Sequence, residues 1–238
     1  SKDLATRSFS SALTVDTDTF HVDVADNRVG VGTTAPDRIF TIRNGGPVVE
    51  IDPAGASSNP IYFNYNRSTS AYLTPEYWAL GHKFMRNGGS TALEIDSSGR
   101  VTKPSQPSFR ATSSSGISTG SNVSTLVLPT VKHNVGNHYN SSTYTFTCPV
   151  AGLYYFGFHG NVRDVGSSST TSVYAQIMKN GSRQGIYYCS DEPNAAWHLL
   201  SGSIVVSCAA NDAILVSSGA NAYWDSSDWT QFYGYLLG

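Results

Sequence analysis

Hydrophobic and polar residues alternate over short runs along this chain, and Gly, Pro, Asn and Asp separate one run from the next. A period of two predicts strands rather than helices. The clearest run is Gly152-Leu-Tyr154-Tyr-Phe156-Gly-Phe158, in which Tyr154, Phe156 and Phe158 leave the backbone on one face. Burying one large aromatic contributes ~1.5–3 kcal/mol, so three together decide which side is core. Pro149 and Gly152 mark a tight connection into this strand from one ending near Phe146. Further strands are predicted at 123–128, 143–147, 172–178, 185–189, 197–208, 213–216 and 231–237. Asn180-Gly181 is a strong hairpin turn, because both residues accept positive φ cheaply, and Asn211-Asp212 is a second turn. Regular strand spacing with no helical period predicts a two-sheet sandwich.

The N-terminal part follows a looser plan. Phe20, Val22 and Val24 alternate, Ala25-Asp26-Asn27 turns, and Val29 and Val31 alternate again, which predicts a β-hairpin. Gly30-Val-Gly32 is no nucleotide loop, since Pro36 ends the segment and no helix follows. Val48-Val-Glu-Ile-Asp52 and Ala92-Leu-Glu-Ile-Asp96 share one design, with Gly55 and Gly99 three residues later: strand, tight turn, return strand. Isolated hairpins are marginal in water, so these units need neighbours, and identical chains packed as a trimeric shaft would supply them. Pro104 and Pro107 cannot sit inside a sheet ladder and predict a stiff connector. The expected organisation is a β-hairpin shaft segment (1–45), a small β domain with the Glu-Ile-Asp repeats (46–103), a linker with the first strand (104–122) and a head (105–238).

Composition narrows the function. Only 13% of residues are charged and the formal net charge is -2, with no basic run, so a nucleic-acid partner is not expected. No apolar run is long enough to span a bilayer, and membrane insertion is not expected. The chain begins at Ser1, which reads as a fragment or processed product. Cys148, Cys189 and Cys208 match no zinc or redox spacing and read as three thiols, with one disulfide plus one thiol as the alternative. Six histidines are scattered without metal-ligand spacing, and Glu76, His82 and Asp96 show no spacing that selects acid–base chemistry. No nucleophile elbow or calcium loop is present, so neither enzyme activity nor a metal or cofactor is expected.

Residue order carries more than composition. Asn134, Tyr139, Phe146, Gly152, Tyr154, Phe156 and Phe158 stand at the spacing of the C1q domain signature, and Phe232-Tyr-Gly234-Tyr-Leu-Leu237 resembles that family's last strand. Leu128 departs from it, standing where the signature has Phe. The resemblance covers residues 105–238 and implies a ten-strand jelly-roll sandwich assembling as a trimer, with binding by apical loops. The fold class expected is therefore all-β: a trimeric β-hairpin shaft followed by this sandwich. The leader, Asn27-Arg-Val-Gly-Val-Gly-Thr-Thr-Ala-Pro36 and Gly99-Arg-Val-Thr-Lys-Pro104 running into the head, resembles distal tail-fibre segments of bacteriophages, and collagen Gly-X-Y repeats are absent from this chain. That resemblance implies a receptor-binding fibre tip, assembled in a host cytoplasm and displayed on a virion. Its partners would be upstream fibre or tail proteins and a bacterial surface polysaccharide or lipopolysaccharide. A secreted C1q-like lectin or signalling head and a polysaccharide-degrading tailspike are the alternatives.

Two stretches suit saccharide recognition, because aromatic faces stack on sugars and carboxylates accept hydrogen bonds from hydroxyls. Tyr223-Trp224-Asp225-Ser-Ser-Asp228-Trp229 is expected as a polar loop before the last strand. Asp191 and Trp197 form the second candidate. Packing of Trp224 or Trp229 under the loop is the competing expectation.

Overall fold

The structure is a computed structural model that describes residues 13–52, 60–120, 122–164, 172–190, 197–219 and 221–238. The chain divides into two compact units, Ser1–Ala79 and Leu80–Gly238.

In the first unit one sheet holds β1 (Leu13–Val15), β2 (Phe20–Asp23), β3 (Arg28–Val31), β4 (Phe40–Arg43), β5 (Pro47–Asp52), β6 (Ile61–Asn66) and β7 (Ala71–Tyr72) in sequence order. The β2–β3 hairpin is the one the alternation predicts, with Val22 opposite Val29 and Asn27 at a φ of 54°. The antiparallel β4–β5 pair carries the sheet across residue 45, where the sequence placed a boundary. Two faces of opposite chemistry result. On one, Glu50 is fully buried against Arg67 at 2.5 Å, Asp37 holds Arg43 at 2.8 Å, and Arg38 holds Asp52 at 3.0 Å. The guanidinium groups of Arg38 and Arg67 also cover the rings of Phe63 and Tyr65. The opposite face leaves Ile42, Val49 and Tyr62 exposed.

The second unit opens with a small antiparallel sheet of β8 (His82–Met85), β9 (Thr91–Ile95) and β10 (Val101–Thr102). The second Glu-Ile-Asp repeat ends in the expected turn: Asp96 accepts hydrogen bonds from the Ser98 and Arg100 amides, and Gly99 supplies a φ of 78°. The two repeats differ in environment, for Glu94 meets Lys83 at the surface while Glu50 is sealed under Arg67.

The rest is a jelly roll. Its strands are β11 (Ser108–Thr112), β12 (Ile117–Ser118), β13 (Ser124–Thr125), β14 (Thr130–Val135), β15 (Tyr139–Asn140), β16 (Thr145–Thr147), β17 (Gly152–Asp164), β18 (Ser172–Lys179), β19 (Ser182–Ser190), β20 (His198–Cys208), β21 (Ala213–Gly219), β22 (Ala222–Trp224) and β23 (Thr230–Leu236). In the front sheet β20 flanks β17 on one side, and β23 and β22 lie end to end along its other edge. Next come β11 and β12, also end to end, and then β14. In the back sheet β15 leads to β16, which shares one edge of β21 with β13, and β18 and β19 follow. Each sheet is thus five ribbons wide, and the ten ribbons form the expected sandwich. The Asn180-Gly181 turn between β18 and β19 has φ values of 49° and 78°, as a type I′ hairpin requires.

The signature residues form one connected core. Phe109 stacks on Tyr139 and Phe146 at 4.9 and 4.7 Å, Phe146 meets Tyr154 and Phe156, and Phe156 meets Phe232. Asn134 clips Tyr139 in place by exchanging hydrogen bonds with its backbone N–H and carbonyl, and the Tyr139 hydroxyl donates to the Leu128 carbonyl. Gly234 is required because a Cβ there would lie 2.5 Å from the Phe156 ring and 2.8 Å from the Tyr155 carbonyl. Cys148 and Cys208 are free thiols, and burial raises the pKa of both.

Candidate functional site

Strand β17 organises both faces of the front sheet. Tyr154, Phe156, Phe158 and Val162 point into the core, so Tyr155, His159, Asn161 and Arg163 point outward. The outward residues near its C-terminal end gather the candidate side chains. β17 pairs there with β22, which places Arg163 opposite Tyr223, and with the start of β20, just after Trp197.

Arg163 packs against two rings, its guanidinium carbon 5.1 Å from the centre of Trp197 and 5.0 Å from that of Tyr223. The rings themselves meet edge to face at 5.9 Å. Gly116 makes room for the phenol, since a Cβ there would fall 1.9 Å from the Tyr223 hydroxyl. Trp197 remains 43% exposed, and its neighbour Leu199 is also exposed. Beside this cluster, Asn161 donates to Asp225 at 3.3 Å, and Asp225 accepts a second bond from the Ser226 amide at 2.7 Å. The fold therefore joins Tyr223 and Trp197, two candidates 26 positions apart in sequence, on one patch.

Trp224 overturns its expectation as a saccharide contact. It is fully buried, its ring packs edge-on against Phe158 at 5.4 Å, and its indole N–H donates to Ser218 at 3.1 Å. The cause is parity: Tyr223 to Trp224 is part of a strand, not a loop, so consecutive side chains take opposite faces. Gly160 leaves the space the indole fills, since a Cβ on it would sit 2.6 Å from the ring. Trp229 ends a single 3-10 turn (Ser227–Trp229) and is exposed, away from any aromatic partner among the described residues. Asp191 lies outside the described residues.

A second, more charged patch lies further down the same face. Asp228 is held through Oδ1 by Arg110 at 3.3 Å and Lys132 at 3.2 Å. Arg110 also donates to Gln231 at 2.6 Å, and the Gln231 amide nitrogen donates to His159 Nε2 at 2.8 Å. Arg110, His159 and Gln231, with His133, Tyr233 and Tyr235, line a cavity of about 500 Å³. Sequence reasoning missed Arg163, Asn161, Arg110 and Lys132. The first two carried a usable signal, for they continue the outward parity that begins at His159. The others reach the site only through strand pairing across the sheet.

Glu76 and Asp96 have local partners, Trp78 and Arg100. Among the described residues no cluster of three or more His, Cys, Asp or Glu is placed to hold a metal ion. Among them no helix is long and apolar enough to cross a membrane.

The sequence profile of the C1q domain matches residues 108–237. The mouse (Mus musculus) Complement C1q and tumor necrosis factor-related protein 9 is 32% identical over 112 residues, which are 45% of this chain and 31% of that protein. The human (Homo sapiens) Complement C1q and tumor necrosis factor-related protein 9B is 31% identical over the same shares. This chain thus spans about a third of the length of the curated relatives it matches. Among solved structures, the globular domain of zebrafish complement 1qA protein aligns with a TM-score of 0.45 at 15% identity, over 56% of this chain and 98% of that one. Murine APRIL at pH 5.0 aligns with a TM-score of 0.45 at 14% identity, over 56% and 99%. With its profile matched across more than half of the chain, from the first strand of the jelly roll to the last, the protein belongs to the C1q domain family.

Proposed function

We propose that this protein is a non-enzymatic, homotrimeric recognition protein whose C1q domain binds a saccharide through Trp197, Arg163 and Tyr223. The observation that carries the reading is the exposed Trp197 ring fixed against Arg163 and Tyr223 on the outward end of β17. A held aromatic presents a flat apolar surface to a sugar ring at little entropic cost, and Asn161 and Asp225 beside it offer polar partners for hydroxyls. Trimerisation is supported by the outer face of the front sheet, where Leu153, Val205 and Tyr235 are exposed around Tyr155. Exposed apolar groups on a sheet face are what a self-association surface provides. Three linked sites raise avidity by roughly 10²–10⁴ over one.

The relatives support a C1q/TNF-related head, the secreted lectin or signalling reading, above a fibre tip. One observation favours the fibre tip, displayed on a virion and attached to upstream tail proteins. The first unit is a β sheet with one exposed apolar face. That face, with Ile42, Val49 and Tyr62, suits the trimeric shaft.

The test is a glycan array probed with the purified full chain, followed by titration of the strongest binders against Trp197→Ala. Binding that drops about tenfold or more in the variant supports the site. Unchanged binding places recognition elsewhere on the head. An upstream collagen segment in the gene would settle the setting for the secreted head, and flanking virion genes would settle it for the fibre.

A further inference from the structure

We propose that the Trp197–Arg163–Tyr223 cluster selects saccharides carrying an anionic group, a carboxylate or a sulfate, with Arg163 as the anchor. The inference rests on the reading of the head as a saccharide binder and adds the class of sugar. Its basis is the unusual state of Arg163. Arg28, Arg38, Arg43, Arg67, Arg100 and Arg110 each lie within 3.4 Å of a carboxylate oxygen. Arg86 and Arg183 are exposed. Arg163 is half-buried and has no carboxylate partner among the described side chains, and its Nε–H, like those of Arg38, Arg43 and Arg67, is buried without a hydrogen-bond acceptor.

Two described acids near this end of the face are already engaged. Asp225 accepts from Asn161 and Ser226, and Asp228 is bound by Arg110 and Lys132. A buried donor without an acceptor is costly, and no described side chain satisfies this one. The two rings pack against the guanidinium and restrict its rotation, and its fork of donors matches a planar, two-oxygen acceptor. A carboxylate or sulfate offers that geometry. Trp197, half-exposed beside the fork, can then stack on the ring that bears the anion. Neutral hydroxyls satisfy the same donors with weaker, uncharged bonds.

The experiment titrates the full chain with three probes: a glucuronic-acid-containing disaccharide, a sulfated glucose disaccharide and the unmodified glucose disaccharide. The expected result is that one or both acidic probes bind at least about tenfold tighter than the neutral one, and that added salt erodes the difference. Arg163→Gln should abolish the preference, Arg163→Lys should keep part of it, and Arg110→Gln, which removes the same charge nearby, should keep it. Thermal unfolding of each variant separates lost binding from lost fold, and Arg163→Lys carries the test if Arg163→Gln does not fold. The relative affinity of the two acidic probes identifies carboxylate or sulfate as the preferred group. Equal binding of acidic and neutral probes, or a preference that survives loss of Arg163, overturns the anion inference and leaves saccharide recognition standing. No binding of these probes, with none on the glycan array, overturns both.

Discussion

At the scale of single residues, Trp224 and Trp229 show how five positions separate a core residue from a surface one. Trp224 fills the space left by Gly160 and satisfies its indole N–H on Ser218, whereas Trp229 ends a short exposed turn. Trp224→Ala should destabilise the head by about 3–5 kcal/mol, and Trp229→Ala should change stability by no more than ~0.5 kcal/mol, both read by chemical denaturation. Asp212 supports a second prediction. Its carboxylate accepts from the Ala209 amide at 2.8 Å and from Asn180 at 2.7 Å, with Lys179 nearby, and these contacts hold its pKa below the usual carboxylate value. A depressed folded-state pKa means that the stabilisation is present at neutral pH and is lost as pH falls through the folded value. The Ala209 amide resonance should therefore shift only at pH values below those at which a free Asp titrates, and Asp212→Asn should remove the transition.

At the scale of elements, β17 sets the design by presenting two unrelated surfaces at alternate positions. Inward, its aromatic row joins Phe109, Phe146, Phe232 and Trp224. Outward, His159, Asn161 and Arg163 meet partners from β22, β23 and the segment after β22. Glycines let the two surfaces coexist in one strand. Gly160→Ala should force its new methyl group into the Trp224 ring and cost about 1–3 kcal/mol. Adding Trp224→Phe should recover part of that loss, and a double-mutant cycle would measure a coupling of about 0.5 kcal/mol or more. Additive effects would show that the strand accommodates the methyl by moving, without help from the indole.

At the scale of the whole molecule, the unpartnered apolar groups indicate assembly. Leu153, Val205 and Tyr235 sit on a sheet face whose other side is already the core. Val205→Glu adds a charge to this face without touching the saccharide cluster. Sedimentation should show a trimer for the parent chain and a shift to monomer for the variant, with far-ultraviolet circular dichroism unchanged. A parent chain that sediments as a monomer would defeat the trimer proposal, and an unshifted variant would place the contact on another surface.

Alternation alone located the β17 aromatic row, the main sandwich strands and the Asn180-Gly181 turn, because strand parity and turn chemistry are local properties of the backbone. The signature spacing was legible for a related reason: Asn134, Tyr139, Phe146 and Gly234 each answer a steric or hydrogen-bonding demand peculiar to this core. The short strands at 117–118, 139–140 and 222–224 were not legible, since two or three residues carry too little periodicity. The site was half legible. Composition pointed to Tyr223 and Trp197, but residue type could not say that Trp224 turns inward, that Asp228 is already paired, or that Arg163 packs against both rings. Those outcomes depend on which strands become neighbours, and pairing between residues 60 positions apart is decided only by the packed sandwich.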